Sequence, residues 1–262
     1  GFENADLVPQ AIQSGTNEIY TLVADNMWHP ELKKKKVRMA LVHAINCQEI
    51  VENLYDNRNE CFGNISQPGT LGINEANSAP YEFNQELSKQ LLADAGYDPE
   101  NEIRIHTRSG RVYRDVELHE AVVGYWNEVG VNAKVQVLEN AQATNHRRSG
   151  CGKFETAEIQ LKCAEQPPAP PVNASTHYYE TATSNESLDF ARQLTLRLSC
   201  HNVNSRVCYA DVEAKAEIAK AAPLGEERRI LMEELAQMAH DEYWFVPFFH
   251  VQTVCGPAKD LV

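Results

Sequence analysis

Glu102-Ile103-Arg104-Ile105-His106-Thr107 alternates apolar and polar side chains at period two, and Val131 to Leu138 does so again through Ala133, Val135 and Val137. Alternation of this kind is the mark of a half-buried strand. Between the two lies a segment from about Asp115 to Val129 in which Val116, Ala121, Val122, Tyr125 and Val129 return at helical spacing, and Gly130 follows as a terminator. Strand, helix and strand at this length imply two parallel strands joined by a right-handed crossover. The class is therefore α/β.

Upstream, Glu18-Ile19-Tyr20-Thr21-Leu22-Val23 reads as a strand within residues 15–28. Pro30 opens a helix at the position where a missing N–H costs nothing, with Val37, Leu41, Ala44 and Ile45 on its buried face. Lys33 to Lys36 stand at the wrong end of that helix for its dipole and read as a solvated turn. Asn46 caps a second helix with Glu49 three residues on, and Ile50, Val51 and Leu54 form its stripe. Residues 57–80 read as a loop. Asn84 caps a helix lined by Leu87, Leu91, Leu92 and Ala95 and ended by Gly96.

Downstream, residues 140–180 read as irregular, and Pro167-Pro168-Ala169-Pro170-Pro171 forbids a helix or a central strand there. Helices are expected over about 186–199, 211–222 and 226–241, the last burying Ile230, Leu231, Leu235 and Met238. Phe245-Val246-Pro247-Phe248-Phe249 reads as a strand that its proline confines to an edge or a bulge. The whole is a mixed sheet flanked by helices.

The 262 residues carry a formal net charge of −13, which disfavours nucleic acid and an anionic membrane surface as partners. No apolar run of about eighteen residues occurs, so no helix is expected to span a bilayer. The opening Gly1-Phe2-Glu3-Asn4 reads as a start in mid-protein. Seven cysteines suit an oxidising compartment, and three pairs are close in sequence: Cys47 with Cys61, Cys151 with Cys163, and Cys200 with Cys208. Cys255 is left over, and connectivity stays open. No Cys-x-x-Cys occurs, and the nine histidines form no His-x-His or His-x-x-x-His set, so no metal or other cofactor is expected. A thiol-enzyme arrangement can be assembled from His146, Cys151 and Glu155, but Cys151 has a nearer partner in Cys163. The sequons at Asn64, Asn173 and Asn185 read as chance.

Four landmarks in order resemble one family. They are Val37-Arg38-Met39-Ala40-Leu41-Val42-His43-Ala44-Ile45, Leu91-Leu92-Ala93-Asp94-Ala95-Gly96-Tyr97, Trp126-Asn127-Glu128-Val129-Gly130-Val131 and Val246-Pro247-Phe248. The chain looks like the C-terminal lobe of a family 5 (dipeptide, oligopeptide or nickel type) solute-binding protein of an ABC transporter. Asn46-Cys47 departs from the family's usual Asp-Arg. The resemblance implies a periplasmic-binding-protein-like lobe (type II, cluster C), with residues 1–28 as a hinge segment from a first lobe and 29–262 as the ligand-binding lobe. It further implies a monomer in the periplasm or outside the cell, membrane-anchored if its N-terminus carries an anchor. Such a protein is not an enzyme. Its partners would be a small-molecule or peptide ligand and the transporter's permease. A nickel chelate as cargo, or a sensor that borrowed the lobe, are the alternatives. By the same resemblance Glu165, with Gln166 beside it, stands where an acidic residue pairs with a ligand ammonium. Arg111 and Arg114, flanking Tyr113, fall where an arginine holds the ligand carboxylate. Cys200 and Cys208 match a disulfide that some dipeptide binders carry.

Overall fold

Five strands form one mixed sheet in the computed structural model, which describes residues 12–154, 156–162 and 178–255. The strands are β1 (Ile12–Ala24), β2 (Ile103–Thr107), β3 (Ala133–Val137), β4 (Tyr178–Ser184) and β5 (Phe245–Cys255), in the order β3-β2-β4-β1-β5. β2 runs parallel to both β3 and β4, and β1 runs antiparallel to β4 and β5. The expected crossover is present, with α5 (Asp115–Glu128) between β2 and β3. β5 lies at the sheet edge, and its register jumps from Tyr20 opposite Phe249 to Thr21 opposite Pro247. One extra residue is thereby placed on β5, so Pro247 occupies both an edge and a bulge.

The caps follow local chemistry. Asn46 accepts the Glu49 N–H at 3.1 Å to start α2 (Cys47–Tyr55), and Asn84 accepts the Leu87 N–H at 2.9 Å to start α4 (Gln85–Asp94). Gly96 follows α4 with φ +58, a backbone conformation that glycine adopts without penalty. Within residues 57–80, a short α3 (Glu75–Ser78) is closed by reciprocal Asn74 and Asn77 bonds. Buried Asn64 reaches the Asn77 carbonyl at 2.6 Å, and buried Asn185 reaches Ser66 at 3.2 Å. Both side chains are committed to packing rather than displayed as surface sequons. Asn173 lies outside the described residues.

The first helix differs from expectation. α1 is Lys35–His43, and residues 30–33 form turns. The cause is Arg38, which is buried at 2% exposure. Its guanidinium donates to the carbonyls of Leu32 at 2.9 Å and Lys33 at 3.0 Å, and its Nε donates to the Glu242 carbonyl at 3.0 Å. An earlier helix start would have used those two carbonyls internally. The lysines are not merely solvated either. Lys34 reaches Glu31 and the Gly96 carbonyl, Lys35 reaches Glu242 at 2.7 Å, and Lys36 reaches Asp94 at 3.1 Å.

Arginine and tryptophan shift the buried faces of two helices in part, while Val122, Val129 and Leu235 are buried as expected. On α5 the buried face is Leu118, His119, Val122 and Trp126, while Val116, Ala121 and Tyr125 are only partly buried. Trp126 donates to the Leu41 carbonyl at 2.8 Å and packs on Tyr178 at 5.1 Å, and this anchor sets the rotation. On α10 (Glu226–Asp241) the buried residues are Arg228, Met232, Leu235, Ala236 and Ala239, leaving Ile230 42% exposed. Arg228 turns inward because it caps α9 (Ala210–Ala221), donating to the carbonyls of Ala219, Lys220 and Ala222 while pairing with Asp189 at 2.8 Å. Cations are favoured at such a carboxyl end.

The described residues between 140 and 180 are more regular than expected. They hold α6 (Asn140–Arg147), a 3-10 turn at Cys151–Lys153, α7 (Ala157–Lys162) and the start of β4; the proline cluster lies outside the described residues. Distant parts of the chain hold them in place. Gly150 donates to the Val203 carbonyl at 2.8 Å and lies so close to the 202–205 backbone that a Cβ would sit 2.1 Å from the Ser205 oxygen. The helix expected from residue 186 begins later, as α8 (Ala191–Arg197). Cys47–Cys61 and Cys200–Cys208 are bonded as expected. Cys151 is also disulfide-bonded, and its expected partner Cys163 lies outside the described residues.

Two outcomes test these arguments. Arg38→Ala strands buried carbonyls and should cost about 3 kcal/mol, against about 0.2–1 kcal/mol for Lys36→Ala, read from urea midpoints; equal effects would refute the anchoring role. Burial above all lowers His106 to about 4, and it lowers His119 to about 3. The unfolded chain takes up those protons near pH 6.5 and the folded chain does not, so stability is complete above that pH and falls on acidification. Moving from pH 7.5 to 5 should cost about 2 kcal/mol per histidine, and His119→Phe should remove its share; an unchanged pH dependence in that variant would contradict the assignment.

Candidate functional site

One edge of the sheet gathers the chemistry. The parallel strands β2, β3 and β4 all run toward it: β2 and β3 end level with the first residues of β4, His106 being opposite Tyr179, and β4 continues to Ser184 opposite Glu18 of β1, with Ile12 opposite Cys255 farther out. Ligands of open α/β sheets bind beyond such carboxyl ends.

The loop from β2 to α5 leaves this edge and carries Arg111, Tyr113 and Arg114. Asp115, 3% exposed, organises it. Its carboxylate accepts the N–H groups of Gly110 at 3.3 Å, Arg111 at 2.6 Å, Val112 at 3.3 Å and Val116 at 2.9 Å. A carboxylate at a helix start is favoured twice, by these orphan donors and by the dipole. Arg114 then turns with φ +56 and presents its side chain outward. Its guanidinium lies 5.2 Å from the centre of the Tyr113 ring, and its Nε donates to the Tyr113 hydroxyl at 3.1 Å. Tyr113 is 69% exposed, with Tyr55 edge-on to it at 6.5 Å. Tyr55 in turn packs on Phe249 at 4.7 Å. Burial foremost, then Asp115 and Glu117, push the Tyr55 hydroxyl up, so it stays a neutral donor.

The two arginines have different situations. Arg111 donates from Nη2 to both carboxylate oxygens of Glu18, at 3.0 and 2.9 Å. Arg114 has no carboxylate partner among the described residues. Glu165 and Gln166 lie outside the described residues, so the structure brings Arg111, Tyr113 and Arg114 together and places nothing else of the expected set.

Sequence reasoning missed Glu18, Asp115 and Tyr55. Asp115 could have been found as an acidic residue opening a helix after a Gly-containing loop. Glu18 could not, because its partner is 93 residues away.

A buried polar group lies nearby. His106 is edge-on to His146 at 4.7 Å, and Arg206, fully buried, donates to the His146 carbonyl and to Ser149. Burial foremost, with Arg206 second, lowers the His146 imidazole below its usual value. Since Cys151 is disulfide-bonded, the arrangement of His146, Cys151 and Glu155 has no thiol nucleophile. Among the described residues no three metal-donor side chains converge, and no helix is long and apolar enough to cross a membrane.

Known structures share this architecture. The ABC transporter substrate-binding protein CtaP from Listeria monocytogenes superposes with a TM-score of 0.76 at 17% identity, over 94% of this chain and 46% of its own. The periplasmic binding protein DppA from Helicobacter pylori, in complex with the peptide STSA, gives 0.72 at 20% identity, over 94% and 44%. The oligopeptide-binding protein AppA from Bacillus subtilis, in complex with a nonapeptide, gives 0.73 at 16%, over 97% and 48%. At these identities the likeness establishes the fold, and the chain spans a little under half the length of each. No curated protein sequence matches the chain. Residues 2–159 match the family described as bacterial extracellular solute-binding proteins, family 5 Middle. With more than half its length matched and its fold shared, the chain belongs to the family 5 extracellular solute-binding proteins.

Proposed function

We propose that this chain is the ligand-binding lobe of the substrate-binding component of an ABC importer, and that it holds a peptide at the carboxyl edge of its sheet. The observation that carries the reading is Arg114. It stands on a pinned loop at that edge, beside an exposed tyrosine, with a guanidinium that no carboxylate of the described residues neutralises. A planar guanidinium takes a carboxylate through two parallel bonds, and Tyr113 holds one side of it in place. Glu165, with Gln166, is the ammonium-pairing candidate at the other end of the ligand. DppA and AppA, whose structures hold peptides, support this ligand class by likeness of fold. The lobe acts as a monomer outside the cytoplasm, with a transporter permease as its macromolecular partner, and makes no covalent bond to its cargo. A second lobe closing over the peptide would complete the cleft.

The test is calorimetric titration of the full-length protein with tripeptides carrying free or blocked termini. Arg114→Ala should weaken free-carboxylate peptides by about tenfold or more, the worth of a charge-assisted bond, and change C-amidated peptides by less than about threefold. Glu165→Ala should act in the same way on free against acetylated N-termini. Peptide affinity indifferent to both substitutions would sink the reading.

A further inference from the structure

Arg111 is held as firmly as Arg114 but faces inward to a carboxylate of its own chain. Its backbone N–H is fixed by buried Asp115 at 2.6 Å, and its guanidinium is closed by Glu18 at 2.9 and 3.0 Å. Glu18 sits where β1 is irregular. Gly15 is opposite Gln252 and Ile19 opposite His250, so residues 16–18 of β1 face the single residue Val251 of β5. Irregularities of this kind re-aim side chains beside functional sites.

We propose that Glu18 is a built-in carboxylate competitor for Arg111, which a ligand's anionic group displaces. The proposal rests on the function proposed above and names a specificity device within the same site. Both partners are accessible, Arg111 at 33% and Glu18 at 27% of their side-chain surface. Pairs with that exposure hold weakly. Replacing one carboxylate by another at a fixed guanidinium conserves the charge-assisted bond on Arg111. A neutral ligand terminus cannot make this exchange, because the Arg111–Glu18 bonds would be lost and no carboxylate would replace them. The pair thus filters against uncharged ligands and lowers the affinity of charged ones by the strength of the internal contact. Glu18 also cancels the field of Arg111 close to Arg114, so its removal strengthens attraction of an anion to both arginines.

The experiment uses the full-length protein and two probes, an N-acetylated dipeptide acid and its amide, titrated against wild type, Glu18→Gln and Glu18→Gln/Arg111→Gln. Glu18→Gln should bind the acid about three- to tenfold more tightly than wild type does and leave the amide unchanged, and the second substitution should abolish the gain. An acid affinity that is unchanged or reduced in Glu18→Gln, or a gain shared equally by the amide, overturns the proposal. If wild type prefers the acid to the amide and Glu18→Gln changes neither affinity, the competitor role alone fails. If no form of the protein binds either probe or any free peptide, the peptide-binding reading fails with it.

Discussion

The buried guanidinium of Arg38 is the constraint from which the placement of the helices follows. One side chain joins the turn at residues 32–33, the body of α1 and the end of α10 at Glu242. A buried cation without partners would be prohibitively costly, and its donors are met by carbonyls whose own lone pairs would otherwise be unsatisfied. Each group therefore requires the other, and the segment cannot shift by a turn without orphaning both. Trp126 repeats the logic on the opposite flank of α1, through its bond to the Leu41 carbonyl. Between them, these two residues fix α1 against the end of α10 and α5 against α1. The start of α5, and with it the arginine-bearing loop, inherits its position from that anchoring.

The same economy explains the long cations and amides among the polar groups of the interior. Arg228 reaches three carbonyls at the end of α9, and Asn64 and Asn185 cross between loop segments. Loops must satisfy their backbone groups without a ladder. Side chains with several donors do this over distances that a helix or strand cannot cover.

What could be read in the sequence was whatever depends on neighbours in the chain. The strand alternation at Ile103–Thr107, the asparagine caps at 46 and 84 and the glycine after α4 are local effects, and they appear where expected. Val122, Val129 and Leu235 are buried as expected, but the rest of the α5 and α10 faces was misjudged because Trp126 and Arg228 turn inward through partners 85 and 39 residues away. β4 was missed although Tyr178-Tyr179-Glu180-Thr181 has strand-forming residues, because the neighbouring prolines dominated the reading of that region. The candidate site divides in the same way. Arg111, Tyr113 and Arg114 were reached by resemblance, whereas Glu18 and the Asp115 anchor depend on the fold bringing β1 to the end of β2.

Charge makes a last distinction between the molecule and its site. The chain as a whole is acidic, at −13. Yet from Glu102 to Asp115 four arginines, at 104, 108, 111 and 114, face only those two carboxylates within the segment. Screening at physiological salt reduces interactions beyond about 8 Å, so an anion near this loop responds to the arginines rather than to the distant acidic surface. Glu102 is tied to Arg104 and Lys134, and Asp115 to backbone N–H groups; Glu18 adds a carboxylate from another strand that, with Asp115 and Glu117, tempers the field where Arg111 and Arg114 stand. An acidic protein can in this way offer a locally cationic edge, with one glutamate from another strand setting how strongly that edge attracts.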